Sequence, residues 1–160
     1  MFDQKLKKEH KRSCKFFGKK DGSRELQVGK WFPRQLAAAL QGYHGNSQAG
    51  IHGASKLGGA NSIVISGSYL DVNGDRGDVI SCPGPESKTQ EKGDPVTLSE
   101  GSAQVMVNLS TKQEGNPKPV RVFRAVSKSD AEFAPVVGLR YDGLYDVTDA
   151  DITDVNVKCR

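Results

Sequence analysis

The sequence predicts a single-domain α+β fold in which helices pack on a strongly curved, barrel-like mixed sheet. The 160 residues are the length of one domain. The strand-like runs are short, rich in β-branched residues and interrupted by glycine, which favours bent strands. Two helix-like stretches lie among those runs, and no internal repeat suggests a second domain.

The first elements follow from local patterns. Residues 34–40 are good helix formers, and Gly42 is placed to end that helix. Residues 63–65 are β-branched and short, as in a buried strand. Residues 73–77 have turn chemistry and precede a second strand-like run over 78–82, so we expect a β-hairpin.

The second half continues the alternation of helix and strand. Residues 83–95 are rich in Pro, Gly and charged residues and predict an exposed loop. Thr97 and Glu100 have the spacing of a capping box, which predicts a helix from 98 to about 109. Residues 120–125 and 141–147 alternate as strands do. No strand is recognisable after the second of these runs.

Composition and cysteine usage limit the classes of protein. No run approaches the roughly 18 apolar residues of a membrane span, and the N-terminus lacks the apolar core of a secretory signal. We therefore expect no membrane partner, and we discount the glycosylation sequon that begins at Asn108. Cys14, Cys82 and Cys159 form no CxxC pair and no disulfide framework, which suits a reducing compartment. We expect no metal and no other cofactor.

The charge is unevenly distributed. Residues 1–34 carry 11 Lys/Arg and 4 Asp/Glu, a net +7, while the rest carry 12 and 15, a net −3. We predict a basic, mobile arm over residues 1–27, a folded domain over 28–150 and an acidic-to-basic tail over 151–160. The arm is expected to attract DNA phosphates without sequence preference, and a solvated tail or a localisation signal explains it equally well.

A glycine-rich stretch, residues 50–59, leads into the strand at 63–65, and that strand breaks at Gly67. Tyr69 and Asp71 then place a ring and a carboxylate two residues apart, just past the strand end. On the residues alone, Tyr69 is more often an aromatic that caps the core. Asp71 is more often a turn residue that bonds its own backbone.

Three stretches that carry motifs favour a functional interpretation of Tyr69 and Asp71 over the structural one. They are Gly42-Tyr43-His44 with residues 49–53, residues 62–72, and residues 119–145 with Phe133-Ala134-Pro135 and Tyr141-Asp142-Gly143. In order and spacing they resemble the SET- and RING-associated (SRA) domain, also called the YDG domain. The resemblance implies an SRA/PUA-like curved sheet and a concave DNA-binding face with a pocket for an everted 5-methylcytosine. It also implies a nuclear reader of methylated double-stranded DNA, with chromatin proteins as further partners.

The resemblance assigns the base pocket to Ser68, Tyr69, Asp71, Cys82 and Pro83. An ionised Asp71 accepts from the exocyclic amine of cytosine, where thymine presents a second acceptor, and Tyr69 stacks on the base. The family has Tyr-Thr-Gly where this chain has Cys82-Pro83-Gly84, so one stacking ring is missing. We expect weaker binding than in a two-ring pocket. The methyl adds about 0.8 kcal/mol of burial, which predicts a several-fold preference for 5-methylcytosine.

The resemblance also suggests residues that contact the DNA backbone or duplex: Gln48, His52, Ser55, Lys56, Lys88 and Arg140. Gln48 is expected in the gap left by the base, facing the orphaned guanine. His52 is equally well explained as a satisfied loop histidine. The YDG residues are expected to be structural: Tyr141 as a core ring, Asp142 as a carboxylate bonding nearby backbone, and Gly143 as a close passage of the chain.

Two other functions compete with the reader. An enzyme is not expected, because a hydrolase built on Cys82 and His52 has no identifiable third residue, and a nuclease has no His-Asn-His constellation. A short or diverged member of the family, which binds DNA or protein independently of methylation, remains the alternative. Cys82-Pro83 and the unrecognised last strand favour that alternative.

Overall fold

A computed structural model describes residues 26–53, 59–66, 74–83, 100–127, 131–151 and 156–159. Helix α1 spans Gln35–Leu40 and helix α2 spans Glu100–Gln113. The strands of the described part are β1 Trp31–Phe32, β2 Ile51–Gly53, β3 Ala60–Ile65, β4 Ile80–Pro83, β5 Val120–Ala125, β6 Leu139–Tyr145, β7 Val147–Asp151 and β8 Asn156–Cys159. Within these ranges, no helix has the length and apolar character needed to cross a membrane.

The strands form two sheets. The larger has the order β1-β6-β5-β3-β2, with β3 and β5 parallel and the other neighbours antiparallel. The smaller has the order β4-β8-β7 and is antiparallel. A mixed sheet with few helices is therefore confirmed. The barrel-like closure is not: among the described strands both sheets are open.

Both faces of the larger sheet are covered, because successive side chains of a strand point to opposite faces. On one face Phe32, Phe123, Leu139 and Tyr141 pack with Ala38 of α1. On the other face lies a second cluster made by the sheet, α2 and the smaller sheet: Ile63, Ile65, Val120, Val122, Val105, Ile80 and Val147. The central strand β5 is thus buried on both sides.

The two helices begin and end close to the predicted positions. Gly42, with φ +79°, follows α1, and the Tyr43 N–H donates to the Ala38 carbonyl at 2.9 Å. This confirms Gly42 as the stop signal, since the left-handed conformation favours glycine. Helix α2 begins at Glu100, the last residue of the predicted capping box, and continues four residues past Leu109 to Gln113.

The predicted hairpin between residues 63–65 and 78–82 is wrong. Strand β4 pairs with β8 in the smaller sheet, because β3 already has β2 on one edge and β5 on the other. The turn chemistry acts more locally. The Arg76 N–H donates to the Val79 carbonyl at 2.9 Å, and the Ser81 N–H donates to the Gly74 carbonyl at 2.5 Å.

Two strands follow the Tyr141–Tyr145 segment, so the last strand, which the sequence indicates as missing or unrecognisable, is present. Strand β7 reads VTDAD and pairs with β8, which occupies the middle of the smaller sheet within residues 151–160. The acidic residues of β7 and the shortness of β8 hide the apolar alternation by which strands are recognised.

Candidate nucleic-acid interface

In the sequence, the predicted pocket residues lie between the end of β3 and the end of β4. Ser68, Tyr69 and Asp71 lie outside the described residues, as do the predicted backbone contacts Ser55, Lys56 and Lys88. Cys82 and Pro83 end β4, where their backbones pair with Val157 and Asn156 of β8. The described residues show how each segment is anchored at its base.

The turn that carries Gln48 is held by side-chain hydrogen bonds. The Asn46 Oδ1 atom accepts from the N–H groups of Gln48 at 2.8 Å and Ala49 at 2.9 Å. The Gln35 Nε2 atom donates to the carbonyls of Asn46 at 3.1 Å and Ala49 at 2.8 Å. Gln48 itself is exposed. The turn therefore has a fixed backbone and presents the Gln48 side chain to solvent.

His44 supports the same turn from the interior. It is fully buried, with Nε2 2.9 Å from the Ala49 carbonyl and Nδ1 2.7 Å from the Ser62 hydroxyl. A carbonyl oxygen only accepts, so Nε2 carries the proton and Nδ1 accepts from Ser62. Burial lowers the pKa of His44 to about 4, the Ala49 hydrogen bond opposes that shift, and nearby His52 adds to it. His44 is thus neutral near pH 7, with one tautomer fixed.

His52 on β2 faces this buried pair. It is half-buried, and its ring centroid lies 6.0 Å from that of His44 in an edge-to-face arrangement. Its ring also packs against Gly45, where an added Cβ would overlap it. The geometry gives His52 a packing role, and the predicted contact with phosphate stays a prediction.

Gly53 and Gly59, the described glycines that flank residues 54–58, lie close to α2. A Cβ on Gly53 would lie 2.3 Å from the Gly59 carbonyl oxygen and 2.5 Å from the Gln104 side chain. A Cβ on Gly59, whose φ is +72°, would lie 2.4 Å from the Asn108 Oδ1 atom. Only glycine permits this approach, which explains the glycine-rich sequence at both ends of the segment.

Asn108 joins α2 to the start of β3. Its Oδ1 accepts from the Ala60 N–H at 2.6 Å, and its Nδ2 donates to the carbonyls of Ala60 at 3.0 Å and Lys118 at 2.8 Å. Asn108 is 1% exposed. Its amide nitrogen is therefore enclosed in the folded protein, which supports discounting the sequon on structural grounds.

A buried ionic network lies at the other end of the larger sheet. We call Arg124, Asp75, Asp142 and Arg140 the Arg124 cluster. The Arg124 guanidinium donates to both Asp75 oxygens, at 2.6 and 2.7 Å, and to the Asp142 Oδ2 atom at 2.7 Å. It also donates to the Gly77 carbonyl at 2.8 Å. The side chain of Arg124 is 5% exposed and each aspartate 9% exposed, so these charges are largely removed from water.

The electrostatics of this cluster favour the ionised forms. Burial by itself lowers the pKa of Arg124, but the hydrogen bonds that it donates to Asp75 and Asp142 outweigh burial, and the pKa is raised. Such a buried charge is tolerated only when its partners satisfy it, as they do here.

Arg140 belongs to the rim of the cluster. Its Nε donates to the Asp142 Oδ1 atom at 2.5 Å, and its Nη2 donates to the Phe133 carbonyl at 2.6 Å. The Asp142 hydrogen bond raises the pKa of Arg140. These contacts give Arg140 a structural role, and its predicted contact with DNA phosphate stays a prediction.

The YDG tripeptide forms a β-bulge. Val122 pairs with Gly143 and Phe123 pairs with Tyr141, which leaves Asp142 as the extra residue on β6. A bulge re-aims the extra side chain, and here Asp142 accepts from Arg124 and Arg140, where we expect a bond to nearby backbone. Gly143 is explained by φ +126°, since the nearest atom to an added Cβ is 3.7 Å away. Tyr141 is buried in the core, as predicted.

Sequence reasoning missed the anchoring roles of Arg124, Asp75 and His44. One signal was available on β5. Arg121 and Arg124 are three residues apart, so a period-two strand places them on opposite faces. On a strand covered on both sides, at least one arginine needs a buried partner. Among the described residues no group of three or more His, Cys, Asp or Glu side chains is arranged to hold a metal ion.

Comparisons with known proteins agree with this architecture. A family model described as the SAD/SRA domain matches residues 20–158. A UHRF1-like protein of Cryptococcus neoformans is 34% identical over 78% of this chain, and this chain spans 38% of that relative's length.

Two solved structures resemble the fold. One is the SRA domain of SUVH5 in complex with hemimethylated CG DNA, with a TM-score of 0.57 and 27% identity, covering 86% of this chain and 89% of that one. The other is the modification-dependent TagI restriction endonuclease, with a TM-score of 0.61 and 28% identity, covering 83% of this chain and 48% of that one.

Proposed function

The chain belongs to the SAD/SRA domain family, and on that premise we propose that it binds methylated double-stranded DNA by holding one flipped 5-methylcytosine in a pocket. The observation that carries the proposal is the family match, which extends over both pocket segments. The likeness to an SRA domain bound to hemimethylated DNA supports it.

In this proposal Ser68, Tyr69 and Asp71 line one side of the pocket, and Cys82 with Pro83 lines the other. Tyr69 stacks on the base, which contributes about 1–3 kcal/mol. Unpairing and unstacking one nucleotide costs a few kcal/mol, so a single ring only partly offsets it. Asp71 selects cytosine by accepting from its exocyclic amine.

In this proposal, side chains outside the pocket supply the remaining affinity for DNA. Gln48 projects from a turn fixed by Gln35, Asn46 and His44, so little further ordering is needed when it enters the space left by the base. Ser55, Lys56 and Lys88, with help from His52 and Arg140, contact backbone phosphates. These contacts position the duplex and are indifferent to methylation.

The proposed role is that of a nuclear reader without a chemical step of its own, with chromatin proteins as further partners. Cys82 and His52 do not form a nucleophile–base pair in this scheme. They lie on β4 and β2, which belong to different sheets. The endonuclease activity of one solved relative is a property of that protein, of which this chain covers 48%.

Duplex titrations test the proposal. At fixed salt, the dissociation constants for unmodified, hemimethylated and fully methylated CpG duplexes are measured for the wild type and for Asp71→Ala. We expect a several-fold preference for methylated DNA in the wild type. Asp71→Ala removes the charge-assisted hydrogen bond that holds the flipped base, so methylated binding weakens several-fold, down to the level of the unmodified duplex. Asp78→Ala, at an exposed aspartate in the neighbouring turn, is the matched control.

The proposal fails if the wild type shows no methylation dependence and Asp71→Ala is neutral. A second candidate then holds, in which the basic N-terminal residues bind DNA whatever its methylation. The net +7 of residues 1–34 and the Cys82-Pro83 sequence favour that candidate. Deletion of residues 1–24 discriminates, because it abolishes all DNA affinity only if the second candidate is right.

A further inference from the structure

We propose that Arg124 is a positioning residue for base binding, because it anchors both ends of the segment of residues 66–74 that carries the predicted pocket residues. This inference rests on the proposed function for its consequence and on described contacts for its geometry. We assign the same positioning role to Asp75, because the Arg124 side chain holds the end of the segment through the Asp75 carboxylate.

The first end of the segment leaves the sheet beside Arg124. Ile65, the last residue of β3, is paired in parallel register with Arg124 on β5. Ser66 therefore follows directly on the last residue pair between β3 and β5, which is Ile65 with Arg124.

The second end returns to the side chain of the same residue. Asp75, the first residue after the segment, accepts from the Arg124 guanidinium with both carboxylate oxygens, at 2.6 and 2.7 Å. Gly77 adds its carbonyl at 2.8 Å. A bidentate pair fixes the orientation of the carboxylate as well as its distance.

The guanidinium cannot readily shift, because other elements hold it. Asp142, aimed by the YDG bulge, accepts from Nη1 at 2.7 Å, and the Phe133 ring lies 5.6 Å from the guanidinium carbon. Phe133 also packs beside Gly77 in the turn that follows Asp75. Arg124, Phe133 and Asp142 all belong to the third motif-bearing stretch, residues 119–145. Together they form one rigid support beside the segment of residues 66–74.

Two variants that each neutralise one buried aspartate distinguish an effect on the position of the segment from an effect on the stability of the fold. Asp75→Asn weakens the Arg124 contact at the end of the segment, whereas Asp142→Asn weakens the same guanidinium on the β6 side and leaves the Asp75 pair in place. Both remove one buried carboxylate charge. Asp146→Asn, in the half-exposed pair with Lys112, removes a carboxylate charge away from the Arg124 cluster and is the second control.

The titration with unmodified and methylated duplexes is run on all three variants at a temperature where circular dichroism shows each to be folded. We expect Asp75→Asn to weaken methylated binding several-fold, toward the level of the unmodified duplex, while unmodified binding is unchanged. Asp142→Asn leaves the direct contacts of Asp75 in place and has a smaller effect, and Asp146→Asn retains the wild-type ratio of the two constants. Amide hydrogen exchange of residues 66–74 is expected to speed up most in Asp75→Asn and to be unchanged in Asp146→Asn.

The outcomes distinguish this inference from the proposed function. If the wild type discriminates methylated DNA and Asp75→Asn keeps the ratio, the positioning role is overturned and the proposed function survives. Equal loss in Asp75→Asn and Asp142→Asn also overturns it, since that result reports stability alone. If the wild type does not discriminate, the proposed function falls and the role in base binding with it. Exchange of residues 66–74 then tests the anchoring itself, and equal rates in wild type and Asp75→Asn refute it.

Discussion

Asn108→Ala is expected to destabilise the fold strongly without unfolding it. The side chain is 1% exposed and makes three hydrogen bonds, one accepted from the Ala60 N–H and two donated to carbonyls. Alanine supplies none of them. The partners on Ala60 and Lys118 lose their bonds in a part of the core that α2 keeps from water.

The magnitude follows from those three bonds. An intramolecular hydrogen bond contributes about 0.5–1.5 kcal/mol net, so three contribute roughly 2–4 kcal/mol to the free energy of unfolding. A domain of this size is stable by about 5–15 kcal/mol. The variant is therefore expected to fold with a clearly lower urea midpoint.

Urea unfolding followed by circular dichroism, at pH 7 with reduced thiols, measures the change. Ser110→Ala is the matched control, because Ser110 belongs to the same sequon but is exposed; we expect a change within about 0.5 kcal/mol. Asn108→Asp keeps the shape but loses the Nδ2 donor and places a carboxylate against two carbonyls, so it should be at least as damaging as alanine.

The reasoning is refuted if Asn108→Ala costs less than about 1 kcal/mol, or no more than Ser110→Ala. Either result means that water or a backbone shift replaces the three bonds, and that α2 does not depend on Asn108 to dock on β3.

Two further predictions concern the elements beside that helix. Gly53→Ala is expected to destabilise by about 1–3 kcal/mol in the same urea assay, because its Cβ would meet a backbone carbonyl at 2.3 Å. Gly50→Ala, whose nearest contact is 3.4 Å, serves as its control, and equal losses would contradict the explanation. His44 makes stability depend on pH. Its pKa is about 4 in the folded protein and about 6.5 when unfolded, so the unfolded chain binds the extra proton between these values. The His44 contribution to the free energy of unfolding should therefore rise with pH from about 4 to 6.5, by roughly 3 kcal/mol, and be constant outside that window. His44→Gln should remove this contribution, and an unchanged slope in that variant would show that the dependence lies elsewhere.

Local elements were predictable from the sequence, and partner choice was not. Strand β5 spans the predicted residues 120–125, and α1 ends at the expected glycine, because alternation and helix stops are encoded within a few residues. The hairpin failed because the edges of β3 are filled by strands distant in the chain. Strand β7 was hidden because its residues are acidic, and its pairing depends on β8.

The same division holds at the candidate site. The motifs predicted the family, which the comparisons show, and they predicted the burial of Tyr141. The supports beneath the motifs were not predictable. Arg124 and Asp75 are 49 positions apart, and no local pattern pairs them. The roles of Tyr69 and Asp71 in base binding stay predictions.

The placement of β1 has a consequence for how the chain reaches its native state. Trp31 donates from Nε1 to the Val137 carbonyl, 106 positions further along, and its strand pairs with β6. During synthesis β1 must wait until most of the domain has emerged from the ribosome. Domains dominated by such distant pairings fold slowly, because the entropy of closing a large loop is lost before the native contacts can stabilise the chain. We therefore expect acquisition of the complete sheet to be late and cooperative, with nascent chains that stop before residue 139 leaving the first strand without its partner.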